Sequence, residues 1–158
     1  MRKLIISIMS IMVILATVMT AATQKAEKNY AKAVIKDTAA KQMLLGVHRF
    51  SLQWISWDYF GRATVTERNG VLFIKGEQRG RGNDDYVTME GVITRVDAKE
   101  FTFEGDVVTR VSHINHGEPC KRTGEMTFRI TGTRRYWRMQ QMDNPCDEAA
   151  DYVDIFFR

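Results

Sequence analysis

The side chains best suited to bind a metal ion in this 158-residue sequence lie within a six-residue stretch, at His113, His116 and Glu118. Imidazole and carboxylate groups are common zinc ligands. The two histidines, however, follow a strand pattern, and on a strand positions 113 and 116 point to opposite faces. They converge only if the chain turns at Asn115, and a plain polar turn explains the same residues. We therefore assign no metal site and no cofactor.

Other signatures of catalysis are missing from the sequence. It has no Gly-x-Ser-x-Gly, no His-Glu-x-x-His and no glycine-rich phosphate loop. Acidic side chains crowd residues 143–148, but their spacing does not match a calcium-binding EF-hand loop. We assign no catalytic residue and expect no enzymatic activity.

Aromatic side chains suggest a ligand-binding site instead. Trp54, Trp57 and Tyr59 lie in one six-residue stretch, and Trp137 comes later in the chain. Such rings can line a pocket for an apolar or sugar-like ligand. Arg110 could clamp a ligand if its face of the strand points into a barrel lumen. The alternative is that these aromatics simply pack in the core, as tryptophan usually does in small β domains.

Residues 1–22 have the pattern of a secretory signal peptide. A short basic start is followed by a 16-residue apolar run from Leu4 to Met19 and then by small residues. A membrane-spanning helix needs about 20 apolar residues. We expect cleavage between Ala22 and Thr23, hence a secreted or periplasmic protein with no stable membrane span. Removing two basic residues leaves a charge of 21 − 19 = +2, which gives no reason to expect nucleic-acid binding.

Export makes a disulfide possible, and the two cysteines of the chain are Cys120 and Cys146. Each follows a proline in a turn-like context. We predict that they pair and tie two loops together at one end of the fold. A catalytic redox pair is not expected, because such cysteines usually stand close together as Cys-x-x-Cys.

The remaining chain divides into two parts. Residues 23–43 are rich in Ala and Lys with a thin apolar stripe, which predicts a helical or disordered N-terminal segment. Residues 44–158 alternate apolar and polar side chains over about eight short runs, and Asn69-Gly70 is a hairpin signal. Short connections favour antiparallel neighbours. We predict a single all-β domain, an antiparallel meander closed into a barrel, with a two-sheet sandwich as the alternative.

This architecture resembles that of the lipocalins, which are secreted eight-stranded meanders with a ligand cavity. The resemblance rests on strand count and order. The Gly-x-Trp of that family is not matched, because Gly46-Val47-His48 stands in its place. The resemblance implies a small-ligand binder but transfers no binding residue.

Three functions are compatible with these patterns. We favour an exported, non-catalytic binding module of the cell envelope or extracellular space. It would hold a small apolar ligand in a barrel or an envelope protein on a sheet face. The first alternative is a small outer-membrane β-barrel, because the last strand ends in aromatic residues. The second is a metal-dependent hydrolase that uses His113 and His116.

Overall fold

The computed structural model describes residues 29–158. Eight antiparallel strands, β2 to β9, form a closed barrel, and a short helix, α1, precedes them. The predicted barrel is therefore confirmed over the two-sheet sandwich. In chain order the elements are β1 (Val34–Ile35), α1 (Thr38–Leu44), β2 (Gly46–Leu52), β3 (Gly61–Arg68), β4 (Val71–Arg79), β5 (Tyr86–Val96), β6 (Glu100–Arg110), a 3-10 turn (Asn115–Gly117), β7 (Cys120–Arg129), β8 (Tyr136–Met139) and β9 (Val153–Phe156).

The strands follow one another around the barrel in sequence order. Closure comes from β9 pairing with β2, where Ile155 faces Phe50. The β3–β4 hairpin turns at Asn69 and Gly70, whose φ angles are +53° and +83°. Two positive φ angles are what a two-residue turn between right-twisted strands requires, which confirms the hairpin predicted from this dipeptide. Strand β1 lies parallel to the end of β5.

Large apolar side chains occupy the barrel interior. Phe50, Phe101, Phe128 and Trp137 are each at most 1% exposed. The rings of Phe101 and Phe128 are stacked with centroids 5.0 Å apart, and Trp137 meets Phe101 edge-on at 5.9 Å. Burial of one such side chain stabilises a fold by roughly 1.5–3 kcal/mol. The inward face of the barrel is thus the hydrophobic core of the protein.

Helix α1 packs against this core beside the start of β2. Asp37 caps it, since its carboxylate accepts a hydrogen bond from the Ala40 N–H at 2.7 Å. Ala40 and Leu44 are buried among the barrel side chains. The helix thus occupies the last part of the segment predicted as helical or disordered, 23–43, and ends one residue beyond it.

The predicted disulfide is confirmed. Cys120, at the start of β7, is bonded to Cys146 in the loop between β8 and β9, and their Cα atoms are 5.9 Å apart. Asn144 stiffens the same loop by accepting a hydrogen bond from the Cys146 N–H at 2.8 Å. Such bonds form in oxidising compartments, so this one is consistent with an exported protein.

The predicted signal peptide, 1–22, its cleavage position and the first part of the 23–43 segment lie outside the described residues. Within residues 29–158, no helix has the length and apolar character needed to cross a membrane.

Candidate functional site

A cationic cleft of about 840 Å³ opens on the outer surface of the barrel. It is formed by strands β2, β3 and β9, the loops before β3, after β4 and before β8, and the chain following β9. Of the described residues, no aspartate, glutamate or lysine lines it. We call it the arginine cleft after its five arginines, which are Arg49, Arg62, Arg81, Arg135 and Arg158. The aromatic residues of its wall are Tyr59, Phe60, Phe156 and Phe157.

Arg49 and Arg62 form a like-charge pair on neighbouring strands. They are direct partners in the β2–β3 ladder, and both side chains are exposed on the outer face. Like charges directly opposite each other destabilise a sheet by a few tenths of a kcal/mol, up to about 1 kcal/mol. Local rules broken at a stability cost are expected at functional sites. The other ladder neighbour of Arg62 is Glu77 on β4, which forms its ion pair with Arg79 instead. The arginine pair is thus the first sign that the cleft does something other than stabilise the fold.

Aromatic rings hold two of the guanidinium groups in place. The Arg49 guanidinium lies 4.7 Å from the centroid of Phe60 and 5.2 Å from that of Phe156. The Arg81 guanidinium lies 4.1 Å from the centroid of Tyr59, whose hydroxyl also accepts a hydrogen bond from the backbone N–H of Arg81 at 3.0 Å. Arginine stacked on a ring keeps the N–H groups along its edge available for hydrogen bonds.

None of the five cleft arginines forms an ion pair with any of the described residues. Arg158 donates one hydrogen bond to the Gln42 carbonyl at 3.1 Å. The cleft histidine, His48, is buried, and its ring nitrogens lie 2.9 and 2.7 Å from the carbonyl oxygens of Phe156 and Leu44. The cleft therefore concentrates positive charge that is not ion-paired with any described aspartate or glutamate, which is the chemistry of an anion site.

A second polar group is buried at the disulfide end of the barrel. The Asp151 carboxylate accepts hydrogen bonds from Arg122 at 2.8 Å, Asn144 at 3.0 Å and Trp54 at 3.1 Å. The Thr109 hydroxyl lies 3.4 Å away. Here the charges are paired, and the carboxylate gathers donors from β6, β7 and two loops. This arrangement anchors the disulfide loop against the barrel.

The aromatic and arginine residues singled out in the sequence do not form one site. Trp54 bonds to Asp151, Trp57 is 53% exposed on the loop between β2 and β3, and Trp137 lies in the core. Arg110 is bonded to the carbonyls of Gly117 and Asp84, at 2.8 and 3.0 Å. Tyr59 is the member of this set that lines the arginine cleft.

The metal-ligand candidates are also separated. His113 is exposed, with its ring 5.9 Å from that of Trp54, and His116 lies in the 3-10 turn with a φ of +55°. Glu118 is exposed two residues further on. Across residues 29–158, no group of three or more His, Cys, Asp or Glu side chains is arranged to hold a metal.

Sequence reasoning missed the five cleft arginines, because they are scattered over 110 positions and no basic run exceeds two residues. A compositional signal was present, however. Residues 44–158 contain 13 arginines and three lysines. That bias favours planar, forked recognition of oxyanions over simple surface charge.

Comparison with known proteins places the chain in a family. The model of the PM1083 family matches residues 32–157, which includes every strand of the barrel. The chain is similar to Uncharacterized protein PM1083 of Pasteurella multocida (strain Pm70), with 51% identity over 114 residues, or 72% of this chain and 73% of that protein. No solved structure matches it. On the extent of both matches, the chain belongs to the PM1083 family.

Proposed function

We propose that this protein is an exported, non-catalytic binding module whose ligand is an anion held in the arginine cleft. The observation that carries the proposal is the set of five exposed arginines without an ion-pair partner among residues 29–158. A protein surface normally intersperses charges of both signs. A cleft lined by one sign focuses its field and raises the local concentration of oppositely charged ligands.

The packed interior favours binding on the outside of the barrel. A small apolar ligand in the lumen would need space that Phe50, Phe101, Phe128 and Trp137 already fill. The cleft has a volume within the usual range for ligand sites, roughly 300–1,000 Å³. Of the partners considered for this fold, an acidic ligand or an acidic surface of an envelope protein therefore fits better than an apolar molecule.

The charge pattern of the outer face also bears on the outer-membrane alternative. Exposed ion pairs join Lys75 to Glu90 and Lys121 to Asp106 in the middle of the outer sheet surface. A lipid-facing barrel instead presents an apolar band about 25 Å tall, with a polar interior. This protein has the reverse distribution, with apolar side chains inside and charges outside.

The metal-dependent hydrolase has less support than the anion-binding module. His113 and His116 are exposed and lie outside the arginine cleft. No aspartate or glutamate of the described residues lines that cleft, so a pair of acidic side chains for general acid/base catalysis is not assembled there. Export rests on the disulfide and on the predicted signal peptide.

Isothermal titration calorimetry of the mature protein with citrate and with pyrophosphate tests the proposal. We expect at least one anion to bind with a Kd below about 1 mM in low salt, and more weakly in high salt. Arg49→Ala/Arg62→Ala should weaken that binding by at least about tenfold.

The matched control is Arg95→Ala/Arg129→Ala. It removes the same charge from two exposed arginines that lie outside the cleft and already have carboxylate partners. We expect this control to bind like the wild type. Equal loss of affinity in both variants would show that net charge, and not the cleft, governs binding, and would overturn the proposal.

A further inference from the structure

We infer that the occupant of the arginine cleft carries at least two phosphate groups. This inference rests on the proposed function and adds the chemical class of the ligand. Its first support is the length of the cationic surface. Arg158 packs over Gly46, where an added Cβ atom would lie 3.1 Å from Arg158 Nη1. Arg81 lies over Tyr59, close to Gly61, which pairs with Phe50.

Gly46 and Phe50 are four residues apart on β2, so the cationic surface runs for about 13 Å. A single phosphate or carboxylate is much shorter than this. One anionic group could engage the arginines at one end of the cleft but would leave those at the other end unneutralised. A ligand with two separated anionic groups matches the observed spread of charge.

The second support is the presence of a preformed two-arginine fork. Arg49 and Arg62 are cross-strand partners, so their backbones are only about 5 Å apart. Two long side chains that start this close together can both reach one tetrahedral oxyanion. Phe60 and Phe156 contact the Arg49 guanidinium and restrict its motion. The Arg49 side chain therefore loses less conformational entropy when a ligand binds.

The third support is the amount and kind of charge. Five arginines line the cleft, and no described aspartate, glutamate or lysine side chain lines it with them. A carboxylate supplies one negative charge, whereas a phosphate monoester supplies about 1.5 to 2 and three acceptor oxygens. Two phosphates approach the charge of the cleft, and arginine matches their geometry through paired N–H donors. Phosphate is therefore favoured over carboxylate.

Two sources can present this chemistry, a free sugar bisphosphate and a lipid headgroup with two separate phosphates. For the soluble source, the probes are fructose bisphosphate, fructose monophosphate and citrate, titrated calorimetrically into the mature protein. For the lipid source, the probes are phosphatidylcholine vesicles containing cardiolipin, compared with vesicles in which phosphatidylglycerol gives the same total charge. Protein that sediments with the vesicles is measured.

We expect the bisphosphate to bind at least about tenfold more tightly than the monophosphate and citrate, or cardiolipin vesicles to bind more protein than phosphatidylglycerol vesicles. Tighter binding of the bisphosphate than of the monophosphate and citrate would identify the ligand as a free bisphosphate. Stronger binding to cardiolipin vesicles than to phosphatidylglycerol vesicles would identify it as a lipid headgroup. Arg49→Lys/Arg62→Lys keeps both charges but removes the paired N–H donors of both guanidinium groups. This variant should show a smaller preference for the ligand with two phosphates. Arg158→Ala provides a separate single-site variant at the other end of the cleft, beside Gly46, and circular dichroism checks that each variant is folded.

Citrate binding as tightly as the bisphosphate, without a cardiolipin preference, would overturn this inference and leave the anion-binding function standing. Binding of none of the anions or vesicles would overturn both.

Discussion

Arg122 and Arg138 are buried, and each is bonded to an aspartate, whereas the arginines of the arginine cleft are exposed and have no described carboxylate within 4.0 Å. The difference separates two uses of the same side chain. A buried charge must be paired, because removal from water costs several kcal/mol per ion. An exposed arginine has no such requirement, so its unused donors remain available to a ligand.

The Arg138 pair shows how the fold treats a charge that it keeps for itself. Arg138 Nε and Nη2 donate to the two carboxylate oxygens of Asp154 at 2.8 and 2.7 Å. These hydrogen bonds raise the pKa of Arg138 above its ordinary value. Burial raises the pKa of Asp154, and the bonds from Arg138 oppose that rise. Tyr136 and Tyr152 cover the guanidinium, at 5.2 and 4.1 Å from their ring centroids.

The largest effect is expected from breaking a buried pair. Asp151→Ala removes the carboxylate that accepts from Arg122, Asn144 and Trp54, leaving the Arg122 charge buried and unpaired. Such a loss destabilises a protein by about 3–5 kcal/mol. Urea unfolding of the purified variant measures it. Glu100→Ala, which breaks the exposed pair with Arg129, is the control and should cost less than about 1 kcal/mol. Similar costs in the two variants would contradict the distinction between buried and exposed pairs.

The disulfide is expected to contribute an amount similar to or slightly smaller than that pair. Cys120→Ser/Cys146→Ser opens a loop with a sequence separation of 26 residues. The chain-entropy relation gives a loss of about 3.5 kcal/mol. Thermal and urea unfolding measure this loss, and calorimetry asks whether the cleft still binds. Because the bridge is not part of the cleft, affinity should survive in the folded variant. Affinity lost while the fold remains would contradict this separation of the two regions.

The cleft pair should matter far less for stability. Arg49→Ala/Arg62→Ala removes a cross-strand repulsion, but it also removes the contacts of Arg49 with Phe60 and Phe156. These two effects oppose each other, so the free energy of unfolding should change by less than about 1 kcal/mol. Anion affinity should nevertheless fall by at least about tenfold. Urea unfolding measures the change in stability, and calorimetric titration measures the change in anion affinity. A destabilisation above about 1 kcal/mol would show that these arginines serve the fold.

A smaller effect is expected from the residue that positions Arg81. Tyr59→Phe keeps the ring under the guanidinium but removes the hydroxyl that accepts from the backbone N–H of Arg81. Since one hydrogen bond contributes about 0.5–1.5 kcal/mol, affinity should fall by a few-fold. Tyr59→Ala, which also removes the ring, should have the larger effect in the same titration. Equal effects would assign the whole contribution to the hydroxyl.

The smallest effect belongs to an exposed pair. The hydrogen bond from Arg95 lowers the pKa of Asp97 below its ordinary value of 3.8. A carboxyl group whose pKa is lower in the folded state than in the unfolded state stabilises the protein at pH values above its unfolded-state pKa. This stabilisation is lost as the pH falls through the folded-state pKa. The free energy of unfolding of the wild type, measured by urea unfolding, should therefore be slightly higher than that of Asp97→Asn at neutral pH. The difference between the two proteins should vanish in acid. A difference that grows in acid would contradict the sign.

The alternation of apolar and polar side chains was sufficient to predict an antiparallel all-β domain, and the order of the strands favoured a barrel over a two-sheet sandwich. Period two puts one face of each strand inward, and short turns such as Asn69-Gly70 force neighbours to be antiparallel. The disulfide could also be predicted from the sequence, because an exported chain with two cysteines offers one intramolecular pairing. These features are determined by local chemistry and by counting, so the sequence by itself contains them.

The arginine cleft depended on the tertiary structure. Arg49 and Arg62 face each other because of the β2–β3 register, and β9 pairs with β2 to bring Phe156 beside Arg49. Closure of the barrel also carries Arg158 to Gly46. In the sequence each arginine is an ordinary polar residue on an outward-facing position or in a loop. Whether such a charge finds a carboxylate or remains free depends on strand register and closure, which are set by the packing of the whole core.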